Sequence, residues 1–92
     1  MIQKQFKITS EVGLHARPAT LLVQEASRYS SEVELQYDSK KVNVKSIMGV
    51  MSLGIPQGGN FDLIIEGNDE VEALQGIETL LKKEGIAELS GE

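Results

Sequence analysis

The chain has 92 residues, 40% of them hydrophobic and 25% charged, a composition typical of one small globular domain with a modest core. Its net charge of −5 and its four aromatic residues argue against nucleic-acid binding, and the lack of cysteine excludes disulfides and thiolate zinc sites. The sequence shows no signal peptide and no apolar run long enough to span a bilayer, so we expect a cytoplasmic protein without direct membrane insertion.

Charge is distributed unevenly along the chain. Residues 1–45 hold seven Lys or Arg and five Asp or Glu, which gives a net charge of +2. Residues 46–92 hold two Lys or Arg and nine Asp or Glu, which gives a net charge of −7. The positive half suits a phosphate ligand or an acidic partner protein, although chance scatter of surface charge would give the same pattern.

Hydrophobic periodicity predicts seven elements in the order β-α-β-β-α-β-α. Alternating apolar residues predict strands at 2–8, 32–37, 40–44 and 60–66. Helical spacing predicts helices at 16–28, at 47–53, and from a cap at Asn68 or Asp69 to just before Gly85. In the last helix we expect a buried stripe of Val71, Leu74, Ile77 and Leu81.

These elements predict a single α+β domain over residues 1–92. Strands with one apolar face and helices with one apolar stripe favour a two-layer sandwich with an antiparallel sheet. Residues 86–92 are expected to be a short tail that is mobile toward its end.

Residues 13–20 contain the only histidine of the chain. Gly13 permits a tight turn after the first strand, and Pro18 fits the first turn of a helix. His15 therefore lies at or near the N-cap, where free backbone N–H groups and the helix dipole attract anions. Arg17 adds a positive charge nearby, so the pattern predicts a site for phosphate.

His15 has two possible roles at this position. A neutral imidazole is nucleophilic near pH 7 and could accept a phosphoryl group through one ring nitrogen. The helix N–H groups and Arg17 would hold the phosphate oxygens, and an exposed cap would still allow release. Alternatively, His15 only caps the helix or lies on the surface.

Ser46 precedes the second predicted helix and has a complete structural explanation as its N-cap. An N-cap hydroxyl is also a favourable phosphorylation site, because the helix dipole stabilises the added charge and the helix can stay folded.

The second helix is unusually apolar for its length. Its apolar residues are Ile47, Met48, Val50, Met51 and Leu53. A short surface helix cannot bury all of them, so we expect Val50 and Leu53 in the core. The other three, with Thr20 on the first helix, would form an exposed surface for partner docking, here called the docking patch. The alternative is an ordinary core stripe.

Two motifs carry a family resemblance: GLHARPA at residues 13–19 and KSIMGVMSLG at residues 45–54. Together they resemble the active-site and regulatory-serine motifs of HPr, the histidine-containing phosphocarrier family of the phosphoenolpyruvate:sugar phosphotransferase system, in its low-GC Gram-positive type. The resemblance covers essentially the whole chain. It implies a four-stranded antiparallel sheet of order 1-4-2-3, with three helices on one face and the other face open.

The resemblance also implies roles and partners. His15 would be phosphorylated on Nδ1, Arg17 would contact the phosphate, and Ser46 would be the target of an ATP-dependent kinase, the HPr kinase/phosphorylase. Phosphate would come from enzyme I, charged by phosphoenolpyruvate, and pass to the IIA domains of sugar permeases. Phosphorylated Ser46 would slow that transfer and promote binding to a catabolite control regulator. The protein would be a monomeric carrier rather than an enzyme, with no cofactor and no metal.

Other classes of function remain open from the residues alone. A regulatory module that binds a small anion, on a ferredoxin-like arrangement with the same element order, would also use an anion site at a helix end. An RNA-binding sheet is disfavoured by the few aromatic residues and the negative charge. A self-sufficient enzyme is disfavoured because one nucleophile stands without an evident base or metal site. Within the family, His15 argues against the regulator-only homologue that lacks this histidine.

Overall fold

The computed structural model describes residues 1–90, and in this part of the chain it contains five strands and three helices. They are β1 (Ile2–Ile8), α1 (Ala16–Ala26), β2 (Glu32–Tyr37), β3 (Lys40–Asn43), α2 (Ile47–Met51), β4 (Asn60–Glu66), α3 (Glu70–Lys83) and β5 (Ala87–Leu89). All seven predicted elements are present in the predicted order. Between residues 1 and 90 no helix is both long and apolar enough to cross a membrane.

The sheet is antiparallel, with the strand order β3-β2-β4-β1-β5. This contains the predicted order 1-4-2-3, but the prediction of four strands is wrong. β5 pairs with the outer edge of β1, where Ala87 lies opposite Ile8 and Leu89 opposite Phe6. The predicted tail, residues 86–92, therefore includes a strand. Its end was predicted to be mobile, and that prediction concerns Gly91 and Glu92, which lie outside the described residues.

The core lies between the helices and one face of the sheet. The inward-facing strand residues are Phe6, Ile8, Val33, Leu35, Phe61, Leu63 and Ile65, all at most 2% exposed. The rings of Phe6 and Phe61 stack across β1 and β4 with centroids 5.7 Å apart. Their polar neighbours on β1 face away from the helices and are exposed, so the alternation in sequence decides which face is covered.

α3 departs from the predicted stripe at its start. Val71 is 53% exposed, whereas Ala73, Ile77 and Leu81 are fully buried and Leu74 is half-buried. The buried residues follow one another at four-residue intervals, and Val71 lies two residues before them, on roughly the opposite side of the helix. The prediction that Val71 is buried is therefore wrong.

Asp69 occupies the N-cap position of α3, as one of the two predicted caps, but its side chain does not cap the helix. Its carboxylate instead accepts hydrogen bonds from the Ser31 hydroxyl and from the backbone N–H groups of Ser30 and Ser31, both at 2.9 Å. These bonds, the Ser31 hydroxyl first, lower the pKa of Asp69 to about 2 from an ordinary value of 3.8. Asp69 thus ties the start of α3 to the turn between α1 and β2.

Candidate functional site

His15 is the N-cap residue of α1, as predicted. Its backbone is extended, with φ −97° and ψ −167°, and its carbonyl accepts the Ala19 N–H at 3.0 Å to begin the helix. The imidazole makes no capping hydrogen bond and is exposed to solvent. The ring nitrogens are therefore accessible to a second protein.

The first turn of α1 offers hydrogen-bond donors beside the imidazole. Within residues 1–90, the N–H groups of Ala16 and Arg17 have no protein acceptor, and Pro18 has no N–H. The Thr20 hydroxyl donates to the Ala16 carbonyl at 2.8 Å, so that it is engaged within the helix. Two free N–H groups at the positive end of a helix dipole form an environment suited to phosphate oxygens.

The loop between β1 and α1, which precedes His15, is held on one side by the segment after α2. Leu14 is buried, and its N–H donates to the Ile55 carbonyl at 2.9 Å. Gly13 has φ +71°, and a Cβ there would lie 2.5 Å from the same carbonyl oxygen. Only glycine allows this close approach, and the approach sets the position of the following histidine.

The same loop is fixed on its other side by the chain after α3. The N–H groups of Thr9 and Ser10 donate to the Ile86 carbonyl at 2.9 and 3.3 Å, and the Thr9 hydroxyl donates to the Gly85 carbonyl at 3.4 Å. Sequence reasoning missed this contribution because residues 86–92 were predicted to be a tail. The sequence did contain a signal that this segment packs against the fold. Ile86 is apolar and directly follows Gly85, and an apolar residue after the glycine that ends a helix often packs back against that helix.

Arg17 lies in the first turn of α1 with its side chain 74% exposed. Its Nη2 atom is 3.6 Å from Oε1 of Glu84, which follows α3. Glu84 was not predicted as a site residue. No sequence pattern relates two charged residues so far apart in the chain; the sheet and helix packing bring them together.

Ser46 is the N-cap of α2, as predicted, with its side-chain oxygen accepting the Gly49 N–H at 3.2 Å. The residue is exposed. Ser46 thus combines a structural role with a hydroxyl that another protein can reach.

The apolar residues of the second predicted helix, residues 47–53, divide as predicted, although α2 itself ends at Met51. Val50 and Leu53 are 0% and 7% exposed, whereas Ile47, Met48 and Met51 are 37%, 78% and 41% exposed. α2 packs against α1, which carries the half-buried Thr20 and has His15 as its N-cap. The exposed apolar residues therefore lie on the helical side of the molecule together with the histidine.

A family model describing the phosphorylation site of the PTS HPr component matches residues 2–83. The chain belongs to the HPr family. This confirms the resemblance seen in the two sequence motifs, and it places the chain among the phosphocarriers of the phosphotransferase system.

Solved structures agree with this membership. HPr from Thermoanaerobacter tengcongensis is 48% identical, the match covering 90% of this chain and 93% of that chain with a TM-score of 0.86. The histidine-containing phosphocarrier protein of Mycoplasma is 37% identical over 98% of this chain and 100% of its own, with a TM-score of 0.90. Crh of Bacillus subtilis, a catabolite repression protein described as a swapped dimer, is 48% identical. The match covers 91% of this chain and 97% of Crh, with a TM-score of 0.71.

Proposed function

We propose that this member of the HPr family carries phosphoryl groups on His15. It accepts them from phosphorylated enzyme I and passes them to the IIA domains of sugar permeases. The observation that carries the proposal is the geometry of His15: an exposed imidazole without a capping bond, next to two free N–H groups of α1.

The transfer needs only the chain's own nucleophile. The unprotonated nitrogen of neutral His15, Nδ1 in the family, directs its lone pair at phosphorus and forms an N–P bond. The bond between phosphorus and the donor atom of enzyme I breaks, and its electron pair stays with the donor. The other ring nitrogen keeps its proton throughout. The reverse sequence on a IIA domain returns His15 to its starting state, so the protein is a carrier and not a turnover enzyme.

The surroundings of His15 suit temporary storage of the phosphoryl group. The Ala16 and Arg17 N–H groups lie at the positive end of α1, and the Arg17 guanidinium adds a full charge. Because the site is exposed, water screens these interactions and keeps the phosphohistidine from being held too tightly to leave.

Ser46 is proposed as the regulatory site, phosphorylated by an HPr kinase/phosphorylase. Its exposure makes the hydroxyl available, and its N-cap position lets α2 remain folded when phosphate is added. The modification adds about two negative charges beside the docking patch, which slows exchange with enzyme I and IIA domains and creates a surface for a catabolite control regulator.

The remaining features of the proposal concern the molecule as a whole. Residues 1–92 form one HPr-like domain that works as a monomer in the cytoplasm. It docks its partners through Ile47, Met48, Met51 and Thr20. Light scattering of the purified protein tests the monomer, since a mass of twice 10.0 kDa would contradict it.

Phosphate incorporation from phosphoenolpyruvate and enzyme I is the deciding experiment. We expect the parent protein to take up one acid-labile phosphate, His15→Ala to take up none, and Ser46→Ala to behave as the parent. A folded parent that takes up no phosphate, beside an active control HPr, would overturn the carrier proposal. A regulatory module that binds a free anion at α1 would then be the better description.

A further inference from the structure

Two of the three methionines in the chain belong to the docking patch. Met48 is 78% exposed and Met51 is 41% exposed, and they lie three residues apart on α2, so their thioethers are neighbours on the helix surface. The chain has no cysteine, so no thiolate competes with them for an oxidant. The docking patch therefore presents oxidisable sulfur that solvent reaches.

The attachment of α2 to the core depends on other residues. Val50 within α2 and Leu53 just beyond it are buried, and they hold this segment against the rest of the fold. A change of polarity at Met48 and Met51 consequently alters the surface of the molecule and leaves the packing under α2 in place.

A hydroperoxide oxidises a thioether to a sulfoxide in one two-electron step. The sulfur attacks the terminal peroxide oxygen, so that an S–O bond forms and the O–O bond breaks. The proton of that oxygen passes to the leaving oxygen, which departs as water when the oxidant is hydrogen peroxide. Methionine loses the electron pair that the peroxide gains. A thiol-dependent methionine sulfoxide reductase reverses the step, releasing the oxygen as water while a pair of thiols becomes a disulfide.

We propose that Met48 and Met51 are reversible oxidation sites that control the access of partners to His15. A sulfoxide replaces an adaptable apolar side chain by a polar one, and burying its oxygen against a partner without a matching donor disfavours docking. The inference rests on the proposed docking of enzyme I through this patch. Because the imidazole itself is unchanged, we expect oxidation to raise the KM of enzyme I for this protein about three- to tenfold and to leave kcat within about twofold.

The test is the kinetics of enzyme I on the oxidised protein. The protein is treated with hydrogen peroxide, the peroxide is removed with catalase, and peptide mass spectrometry locates the added oxygen. We expect Met48, the more exposed of the two, to be oxidised before Met51, and KM to rise as the sulfoxides accumulate. Treatment with the two epimer-specific methionine sulfoxide reductases should restore the original KM.

Met1 provides the internal control. It is 74% exposed, but it precedes β1 at the end opposite the loop that leads to His15, and its ammonium group contacts Glu70 at 3.2 Å. The double variant Met48→Leu/Met51→Leu keeps Met1 and replaces both patch thioethers by apolar side chains of similar size. Its KM should equal that of the parent before treatment and stay within about twofold after treatment, although Met1 is oxidised. Met48→Leu alone should show a smaller rise than the parent.

Three outcomes would overturn the inference. They are an unchanged KM with both methionines oxidised in the folded parent, an equal rise in KM for the treated double variant, and peroxide that oxidises Met1 but neither patch methionine. Thermal unfolding of each sample establishes that it is folded. Failure of the carrier function is distinct, because the untreated parent would then take up no acid-labile phosphate.

Discussion

Gly13 shows how a single residue without a side chain positions the candidate site. It combines a positive φ of +71° with a space that is already occupied, since a Cβ would lie 2.5 Å from the Ile55 carbonyl oxygen. The two contributions can be separated, because Gly54 has a similar φ of +57° but no atom within 4 Å of the position of a Cβ.

We therefore expect Gly54→Ala to cost about 1–2 kcal/mol of unfolding free energy, the penalty for a left-handed alanine. Gly13→Ala should cost roughly 3–4 kcal/mol, because the Ile55 backbone must also move. Chemical denaturation of the two variants measures the difference. Equal losses would show that backbone conformation, and not close approach, explains the glycine at position 13.

Asp69 makes stability depend on pH in a defined direction. Its pKa is about 2 in the fold and 3.8 ordinarily, so the ionised carboxylate stabilises the native state above about pH 4. This contribution is lost as the pH falls from about 4 toward 2, where the native carboxylate takes up its proton.

We expect Asp69→Asn to be less stable than the parent at pH 6, with the difference narrowing as the pH falls to 2. An amide presents an N–H₂ group where Ser30 and Ser31 require acceptors. Thermal unfolding between pH 2 and 6 tests this, with Asp38→Asn in the exposed β2–β3 turn as the control. A constant difference across that range would contradict the assigned pKa.

At the scale of elements, α2 concentrates the features proposed for regulation and docking. Met48 is the most exposed of its apolar residues at 78%, so a charge there should disturb partners without disturbing the core. We expect Met48→Glu to weaken docking to enzyme I about fivefold or more. Its unfolding free energy should stay within about 0.5 kcal/mol of the parent.

Val71→Glu is the matched control for that experiment, because Val71 is also an exposed apolar helix residue but lies on α3. Its docking should be unchanged. If Met48→Glu unfolds while the remaining folded protein docks normally, α2 is a core element and the docking patch does not exist.

The elements also show how far sequence reasoning reaches. Residues 47–53 could be divided into core and exposed residues because their five apolar side chains exceed what a short helix can bury. The N-caps His15 and Ser46 were predictable because capping depends on local residue types. β5 was not predictable, since an alternation of only three residues is too short to indicate a strand, and they become one by pairing with β1. The hydrogen-bond partners of Asp69 and the ion-pair partner of Arg17 were also not predictable, because tertiary packing brings them together.

At the scale of the whole molecule, the chain after α3 brings the C-terminal segment into contact with the N-terminal strand and the loop that follows it. β5 completes the sheet beside β1, and Ile86 holds the Thr9 and Ser10 amides of the loop before His15. The C-terminal segment therefore contributes both to overall stability and to the position of the site. A substitution at Ala87 can test both contributions together, because this residue is 2% exposed and lies opposite Ile8.

We expect Ala87→Asp to lower the unfolding free energy by about 2 kcal/mol or more, because a carboxylate enters an apolar environment without a partner. Glu88→Gln, on the exposed face of the same strand, should have little effect. Native-state hydrogen exchange by NMR then distinguishes local from global opening. In Ala87→Asp the Thr9 and Ser10 amides should exchange faster, while the Leu14 amide, bonded to the Ile55 carbonyl, should stay protected to the level of global unfolding. If the Thr9 and Ser10 amides instead exchange only at the level of global unfolding, as the Leu14 amide does, β5 stabilises the molecule only as a whole, and the loop before His15 depends on the segment after α2 alone.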